Sequence, residues 1–199
     1  MAKVIDYYLA VVSPYAYLGH DRFVALAAKY GASIAVKPIN LGEVFPVSGG
    51  LPLAKRAPQR QAYRLVELRR WSTLLGKPMH VEPQFFPVSG DLATSAVLAA
   101  QERGEAAAVA MVGAVGRAIW EQQRNIADAA TVEALANECG LPGGALMERA
   151  KSPEIAAKYA AFTQEAIARG VFGAPTYVYH GDLFWGQDRL DFLARALAQ

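Results

Sequence analysis

Cysteine is almost absent from this chain: of its 199 residues only Cys139 carries a thiol. No intramolecular disulfide can form, a pattern typical of reducing compartments, so a cytoplasmic location is the expectation. No apolar run approaches the roughly 18 residues that cross a bilayer, and no cleavage-like leader precedes Val4. Neither a membrane protein nor an exported one is therefore expected.

An excess of either charge is also missing. The chain has 20 Lys and Arg against 18 Asp and Glu, for a net charge of +2. The basic residues form no stripe of the kind that binds nucleic acid, so no nucleic-acid partner is expected. His20, His80 and His180 are scattered without metal-ligand spacing, and no metal site is predicted. The hydrophobic content of 53% is ample for a packed core.

Hydrophobic periodicity predicts a βαβ unit, a block of helices and a closing ββα unit. The first unit is a strand over 4–12, a helix from Pro14 to about Tyr30 and a strand over 33–38. The stretch from Asn40 to Pro58 is rich in Gly and Pro and is predicted to be a loop. Helices are predicted over 59–75, 91–103, 105–122, 129–138, 142–150 and 153–169. Two short strands, 176–179 and 183–185, meet at a hairpin-like turn before a helix over 187–198.

Along the helix over 59–75 the periodicity leaves one set of apolar side chains available for a buried face. They are Tyr63, Val66, Leu68, Trp71 and Leu74.

Ser13 stands where the first strand enters the first helix. A helix N-terminus presents unpaired amides and a positive dipole end, which stabilise anions. The Ser13 hydroxyl could donate a hydrogen bond to a thiolate delivered by a ligand and lower the pKa of that thiol. The alternative is a plain N-cap serine before Pro14, a common arrangement at helix starts.

Two later segments have matching chemistry. A cis-proline at Pro175 would leave the backbone of Ala174 open to an extended peptide; an ordinary turn proline is the alternative. The amides of Gly186 and Gln187 precede a helix and could hold a carboxylate, and Asp188 could pair with an ammonium group. Simple capping by Asp188 stays open. Glutathione, a thiol tripeptide with a γ-glutamyl unit, offers all the matching groups.

The element order is that of a thioredoxin-like α/β fold with an inserted all-helical domain. The expected division is 1–40 with 171–199 for the thioredoxin-like part and 41–170 for the insertion. Ser13-Pro14-Tyr15-Ala16 stands where redox-active members carry Cys-Pro-x-Cys, so disulfide exchange is excluded. The chain resembles the 2-hydroxychromene-2-carboxylate isomerases, relatives of kappa-class glutathione transferases and DsbA-type oxidoreductases. The resemblance rests on 13–19, 41–45, 69–71, 115–120, 170–176 and 184–190.

The resemblance implies a glutathione-dependent isomerase that forms a homodimer and takes a small aromatic acid. Ser13 falls on the serine that contacts glutathione and steadies its thiolate. Ala174 and Pro175 fall on the segment that pairs with its backbone. The γ-glutamyl loop falls on Trp185, Gly186, Gln187 and Asp188. In the implied reaction the thiolate adds to a conjugated double bond, the new single bond rotates, and elimination gives the trans alkene.

The substrate side departs from the family pattern. Pro46 replaces a usual lysine, Ser48-Gly49-Gly50 replaces Thr-Gly-Asn, and Arg60 replaces a second lysine. Arginine can still hold a carboxylate, so Phe45, Gly50 and Arg60 are the expected substrate contacts. Two alternatives remain: a kappa-type transferase acting on small electrophiles, which would consume glutathione, and a non-catalytic peptide-binding module, which would tolerate Ser13→Ala.

Overall fold

The computed structural model describes residues 2–199, and the predicted βαβ…ββα order with helices between is confirmed. The strands are β1 (Val4–Leu9), β2 (Ser33–Pro38), β3 (Thr176–Tyr179) and β4 (Asp182–Trp185). The α-helices are α1 (Pro14–Lys29), α2 (Leu41–Ser48), α3 (Pro58–Leu75), α4 (Asp91–Gln101), α5 (Glu105–Trp120), α6 (Ala129–Glu138), α7 (Gly143–Ala150), α8 (Pro153–Ala168) and α9 (Leu190–Leu197). Short 3-10 turns cover Leu53–Lys55 and Gln187–Arg189.

The four strands form one mixed sheet in the order β2-β1-β3-β4. β1 runs parallel to β2 and antiparallel to β3, so the central pair joins the two distant parts of the chain. The β3–β4 hairpin turns at His180 and Gly181, which both have positive φ angles of 51° and 89°. Two successive left-handed residues match the right-handed twist of antiparallel strands, as the predicted hairpin requires.

The core lies between the sheet and the helices. The rings of Tyr7, Phe23 and Tyr177 pack together, with Phe23 and Tyr177 centroids 4.4 Å apart. Trp120, at the end of α5, is fully buried. Helix α4 packs against α5, α7 and α8, so the helical residues build a layer that shares its core with the sheet. The sheet's two strand pairs are thereby held in one body around Ser13.

The predicted loop from Asn40 to Pro58 is wrong over its first part, where α2 forms with Pro46 inside it. The Asn40 side chain caps this helix by accepting the Gly42 N–H at 2.9 Å. Val44 is buried in a small cluster with Tyr8 and Ile39. Tertiary burial and a good cap therefore outweigh the low helix propensity of proline and glycine.

The predicted bounds shift at two further places. β1 ends at Leu9, and the residues up to Val12 form a turn whose Ala10 carbonyl accepts the Ser13 N–H at 2.9 Å. The closing helix begins as a 3-10 turn and becomes α-helical only at Leu190. Both changes lie beside Ser13 and the 185–188 segment, where the backbone leaves regular structure.

The predicted buried face of α3 is wrong for Tyr63, Val66 and Leu74, which are exposed. The residues of this helix that are buried are Arg64 and Leu68, one turn apart. α3 packs on α1 along this narrow stripe, so its other apolar residues find no neighbour to cover them. Within residues 2–199, no helix combines the length and the hydropathy that crossing a membrane requires.

Candidate active site

Ser13 is the N-cap of α1 and is buried. Its Oγ accepts the Ala16 N–H at 3.2 Å, and its hydroxyl donates to the Ala174 carbonyl oxygen at 3.4 Å. The second distance is long for an O–H···O hydrogen bond, whose usual length is about 2.7–2.8 Å. The hydroxyl hydrogen is thus weakly held at the positive end of α1 and is free to turn to a stronger acceptor.

A serine in this setting is a hydrogen-bond donor and not an activated nucleophile. Its partners within residues 2–199 are backbone groups, and no histidine or carboxylate is bonded to it. Activation of a serine requires an adjacent general base. The arrangement can therefore stabilise an anion next to Ser13, and a thiolate is an anion of the right size and softness for such a site.

Hydrogen bonds link the predicted backbone-pairing segment to Ser13 and to the 185–188 loop. The Ala174–Pro175 peptide bond is cis, and the Pro175 carbonyl accepts the Gly186 N–H at 2.9 Å. The Ala174 N–H takes part in no backbone hydrogen bond among the described residues. An extended ligand beside Ser13 would therefore meet an available N–H on this segment.

The segment from Trp185 to Asp188 folds over its neighbours. The Trp185 indole covers Gly173, where an added Cβ would lie 2.5 Å from Nε1. Gly186 has a φ of 108°, and a Cβ added to it would lie 2.5 Å from the Asp188 carboxylate. Asp188 is exposed, with the Arg189 guanidinium 3.5 Å away.

Gln187 differs from its neighbours because its side chain is only 2% exposed. Its Oε1 accepts from the Arg22 guanidinium at 2.9 Å, which anchors the 3-10 turn on α1. This hydrogen bond holds the Oε1 end of the side chain on the scaffold, and the residue has its backbone amide to offer a ligand. The structure thus brings Ser13, Ala174, Pro175 and the 185–188 loop together.

The three expected substrate contacts lie in the α2–α3 region, and no hydrogen bond, ion pair or ring contact within residues 2–199 joins them to Ser13. Phe45 is half-buried and lies on Gly50: a Cβ at Gly50 would be 2.3 Å from its ring. Arg60 is exposed in the first turn of α3. Their role as substrate contacts stays a prediction.

Sequence reasoning missed Arg64, one helical turn after Arg60. This arginine is buried, and its guanidinium lies 5.4 Å from the Phe86 ring centroid. Burial lowers the pKa of Arg64, while the nearby Tyr15 phenol opposes that shift. The four-residue spacing to Leu68, an apolar residue of the predicted buried face, is the signal that could have placed Arg64 on the inner face of α3.

Tyr15 is a second residue near Ser13 that the composition did not single out. Its hydroxyl donates to Glu67 of α3 at 2.8 Å, and burial followed by this hydrogen bond raises the pKa of Tyr15. The contact ties the first turn of α1 to α3. Among the described residues, no group of three or more His, Cys, Asp or Glu side chains is placed to hold a metal ion.

The family of DSBA-like thioredoxin domains matches residues 4–198. The chain belongs to this family. Within it, the chain is 31% identical over 194 residues to a 2-hydroxychromene-2-carboxylate isomerase of Sphingobium xenophagum, and the match covers 97% of each chain. The expected resemblance and the thioredoxin-like fold are thereby confirmed.

Two further proteins are similar to this chain over nearly its full length. The kappa 1 glutathione S-transferase of Rattus norvegicus is 25% identical over 211 residues, covering 99% of this chain and 92% of the relative. A solved 2-hydroxychromene-2-carboxylate isomerase superposes with a TM-score of 0.82 at 28% identity, covering 98% of this chain and 94% of that one. The start of α1 carries Ser13 and Ala16 in this chain, and no thiol.

Proposed function

We propose that this chain is a glutathione-dependent isomerase acting on 2-hydroxychromene-2-carboxylate or a related aromatic 2-oxo acid. The observation that carries the proposal is the Ser13 hydroxyl, buried at the N-terminus of α1 and facing the backbone of Ala174. The near full-length similarity to isomerases supports this reaction class.

Three features of the described residues fit glutathione. The α1 N-terminus and Ser13 suit its thiolate, and the open Ala174 N–H suits its cysteinyl backbone. The backbone amide of Gln187 and the exposed Asp188 carboxylate suit the carboxylate and ammonium groups of its γ-glutamyl end. The similarity to a glutathione transferase of the kappa class supports the same cofactor.

When bound, glutathione supplies a thiolate that adds reversibly to a conjugated double bond and so allows rotation about it. Ser13 donates its hydroxyl hydrogen to the sulfur and favours the charged form of the thiol together with the α1 dipole. The Ser13 oxygen goes on accepting the Ala16 N–H, while its hydroxyl hydrogen turns from the Ala174 carbonyl to the sulfur. Ala174 and the 185–188 loop hold the tripeptide in register with Ser13.

The test is titration calorimetry of reduced glutathione into the wild type and Ser13→Ala, followed by a chromene isomerisation assay. We expect the wild type to bind glutathione and to isomerise only when it is present. Ser13→Ala should lose most of the isomerisation and shift its pH profile to higher pH, because the bound thiol loses a stabilising donor.

Ser152→Ala is the matched control. Ser152 also caps a helix, α8, through the Ile155 N–H at 3.4 Å and also precedes a proline. Its replacement removes a comparable cap far along the chain and should leave both glutathione binding and isomerisation unchanged. Equal effects of the two variants would mean that Ser13 acts only as a cap, and a wild type that binds no glutathione would overturn the proposal.

A kappa-type transferase is the second candidate, favoured by the Phe45 ring lying on Gly50. This packing, with Pro46 in place of a family lysine, leaves the α2 segment without the polar groups expected for an aromatic acid. A transferase would conjugate an aromatic halide and consume glutathione in proportion, whereas the isomerase would recycle it. A peptide-binding module would show neither reaction.

Three expectations complete the proposal. The substrate is a small molecule, as in the reactions for which the relatives are named. We propose further that the protein is a homodimer and works in the cytoplasm, as the family resemblance and the single cysteine suggest. We also propose the division into 1–40 with 171–199, which holds the four strands, α1 and α9, and 41–170, which holds α2 to α8.

A further inference from the structure

Arg64 is a buried cation without a counter-ion. It is only 8% exposed, and within residues 2–199 no ion pair or side-chain hydrogen bond involves it. Its recorded neighbours are ring faces: the guanidinium carbon lies 5.4 Å from the Phe86 centroid and 6.0 Å from the Trp120 centroid. Contact with aromatic faces offsets part of the desolvation cost of burying a cation. It leaves the N–H groups of Arg64 without hydrogen-bond acceptors.

The donors of Arg64 remain available. A guanidinium has five N–H donors in its plane. Some polar side-chain atoms of the described residues are both fully buried and without a hydrogen-bond partner, and none of the Arg64 nitrogens is among them. Because these nitrogens have no partner, the small exposure that remains to Arg64 lies at its charged end. Glu67, one turn along α3, is already held by the Tyr15 hydroxyl at 2.8 Å. The donors of Arg64 therefore keep what exposure to solvent the residue has, and no resident carboxylate binds them.

The helix and the segment that surround Arg64 contact the chain on both sides of Ser13. Tyr15, two residues after Ser13, donates to Glu67 of α3 at 2.8 Å. The segment that carries Phe86 runs on to Gly90, where an added Cβ would lie 3.0 Å from Val12. Val12 directly precedes Ser13.

Charge along α3 increases the attraction for an anion. Arg56, Arg60 and Arg64 follow at four-residue intervals, and Arg56 is near enough to lower the pKa of Arg64. Arg56 precedes α3 and is half-buried, Arg60 is exposed in the first turn of α3, and Arg64 is buried one turn later. A negatively charged ligand would be attracted to this end of α3.

We propose that Arg64 is the carboxylate-binding residue of the active site, holding the acid group of an aromatic substrate beside the thiol. The inference rests on the proposed function and assigns to Arg64 the part expected of Arg60. A guanidinium fork pairs with a carboxylate through two parallel hydrogen bonds. The Phe86 and Trp120 rings exclude water from that pair, which strengthens it.

The test compares trans-cinnamate with uncharged trans-cinnamamide, which have the same shape, as ligands of the glutathione-loaded wild type, Arg64→Met, Arg64→Lys and Arg60→Met. Titration calorimetry gives the Kd of each ligand, and glutathione binding is measured separately. Arg64→Met should weaken cinnamate binding by roughly 10- to 100-fold, the range for a hydrogen bond to a charged group. It should leave cinnamamide and glutathione binding unchanged.

Arg64→Lys keeps the charge without the planar fork and should show a smaller loss. Arg60→Met, the matched variant one turn away, should change cinnamate affinity by less than about threefold, as expected for a screened surface charge. An unchanged cinnamate Kd in Arg64→Met, an equal loss for cinnamamide, or the larger loss in Arg60→Met would each overturn the assignment.

Two further measurements keep the test decisive if Arg64→Met does not fold. The wild type must bind cinnamate at least tenfold more tightly than cinnamamide, and equal affinities would overturn the inference. Cinnamate binding must also be weaker in Arg64→Lys than in Arg60→Met, and the reverse order would overturn it. A wild type that binds cinnamate but not glutathione would contradict the proposed function and still support the anion site at Arg64.

Discussion

Tyr7 and Tyr177 each place a phenol hydroxyl in the core of the protein. Their rings stack 5.4 Å apart in the core, and neither hydroxyl has a hydrogen-bond partner. Burial raises the pKa of both groups. Tyr8 points to the other face of β1 and donates its hydroxyl to Glu165 at 2.9 Å. Two adjacent tyrosines therefore differ in whether the hydroxyl has a partner.

We expect Tyr7→Phe to raise the free energy of unfolding by about 1 kcal/mol, because it removes a desolvated hydroxyl that makes no hydrogen bond. Tyr8→Phe, the matched control, should lower it by a similar amount because Glu165 loses a donor. Urea unfolding of the three proteins measures both values. A loss of stability in Tyr7→Phe as large as that in Tyr8→Phe would show that the Tyr7 hydroxyl has a partner after all.

At the scale of elements, α1 and the 3-10 turn at Gln187 meet where α1 carries Gly19. A Cβ at this position would lie 2.8 Å from Gln187 Cβ and 2.9 Å from Tyr177 Oη. The turn is bonded to α1 through Arg22 in the same contact. The position of the 185–188 loop therefore depends on α1 having a glycine, with no Cβ, at Gly19.

Gly19→Ala should weaken glutathione binding about tenfold, since overpacking at this contact displaces the turn from α1. Gly144→Ala is the control, because a Cβ there would meet its nearest atom at 3.5 Å, an ordinary contact. Calorimetric Kd values and thermal melting decide the outcome. An unchanged glutathione Kd in Gly19→Ala would indicate that the turn is not part of the cofactor site.

Prediction from the sequence succeeded where local signals determine the element and failed where packing does. The strand before Ser13, the proline-started helix and the His180-Gly181 hairpin all follow from local signals. Helix α2 forms despite Pro46 because Val44 finds a buried cluster. The inner face of α3 is set by its contact with α1, so a charged residue, Arg64, is buried there while apolar Tyr63 stays exposed.

For the molecule as a whole, His20 couples folding to pH. This residue of α1 is 5% exposed, and its Nδ1 has no partner. Burial lowers the pKa of His20 to about 4, while Asp21 opposes the shift and Lys77 and Arg117 add to it. Between pH 6.5 and 4, His20 therefore stays neutral in the folded protein. In the unfolded chain it binds a proton below the ordinary histidine pKa of about 6.5.

Stability should therefore fall as the pH is lowered from about 6.5 to about 4, by about 1.4 kcal/mol per unit at most and about 3 kcal/mol in all. Above pH 6.5 the slope from this group fades, and it is negligible above about pH 7.5. Urea unfolding at several pH values measures the effect, and His20→Gln should flatten it between pH 6.5 and 4.5. His180→Gln, at an exposed turn, is the control that keeps the slope; a slope unchanged in His20→Gln would assign it elsewhere.

The pairing of β1 with β3 also has a consequence for biosynthesis. Ser13 emerges early from the ribosome, whereas Ala174 and the 185–188 loop emerge after all the helices of the insertion. Until then β1 has an open edge on the side that β3 will occupy. A nascent chain thus carries the serine long before it carries Ala174 and the 185–188 loop, the other parts of the proposed glutathione site. If glutathione binds as proposed, retention of a growing chain on a glutathione matrix would report the moment at which the sheet closes.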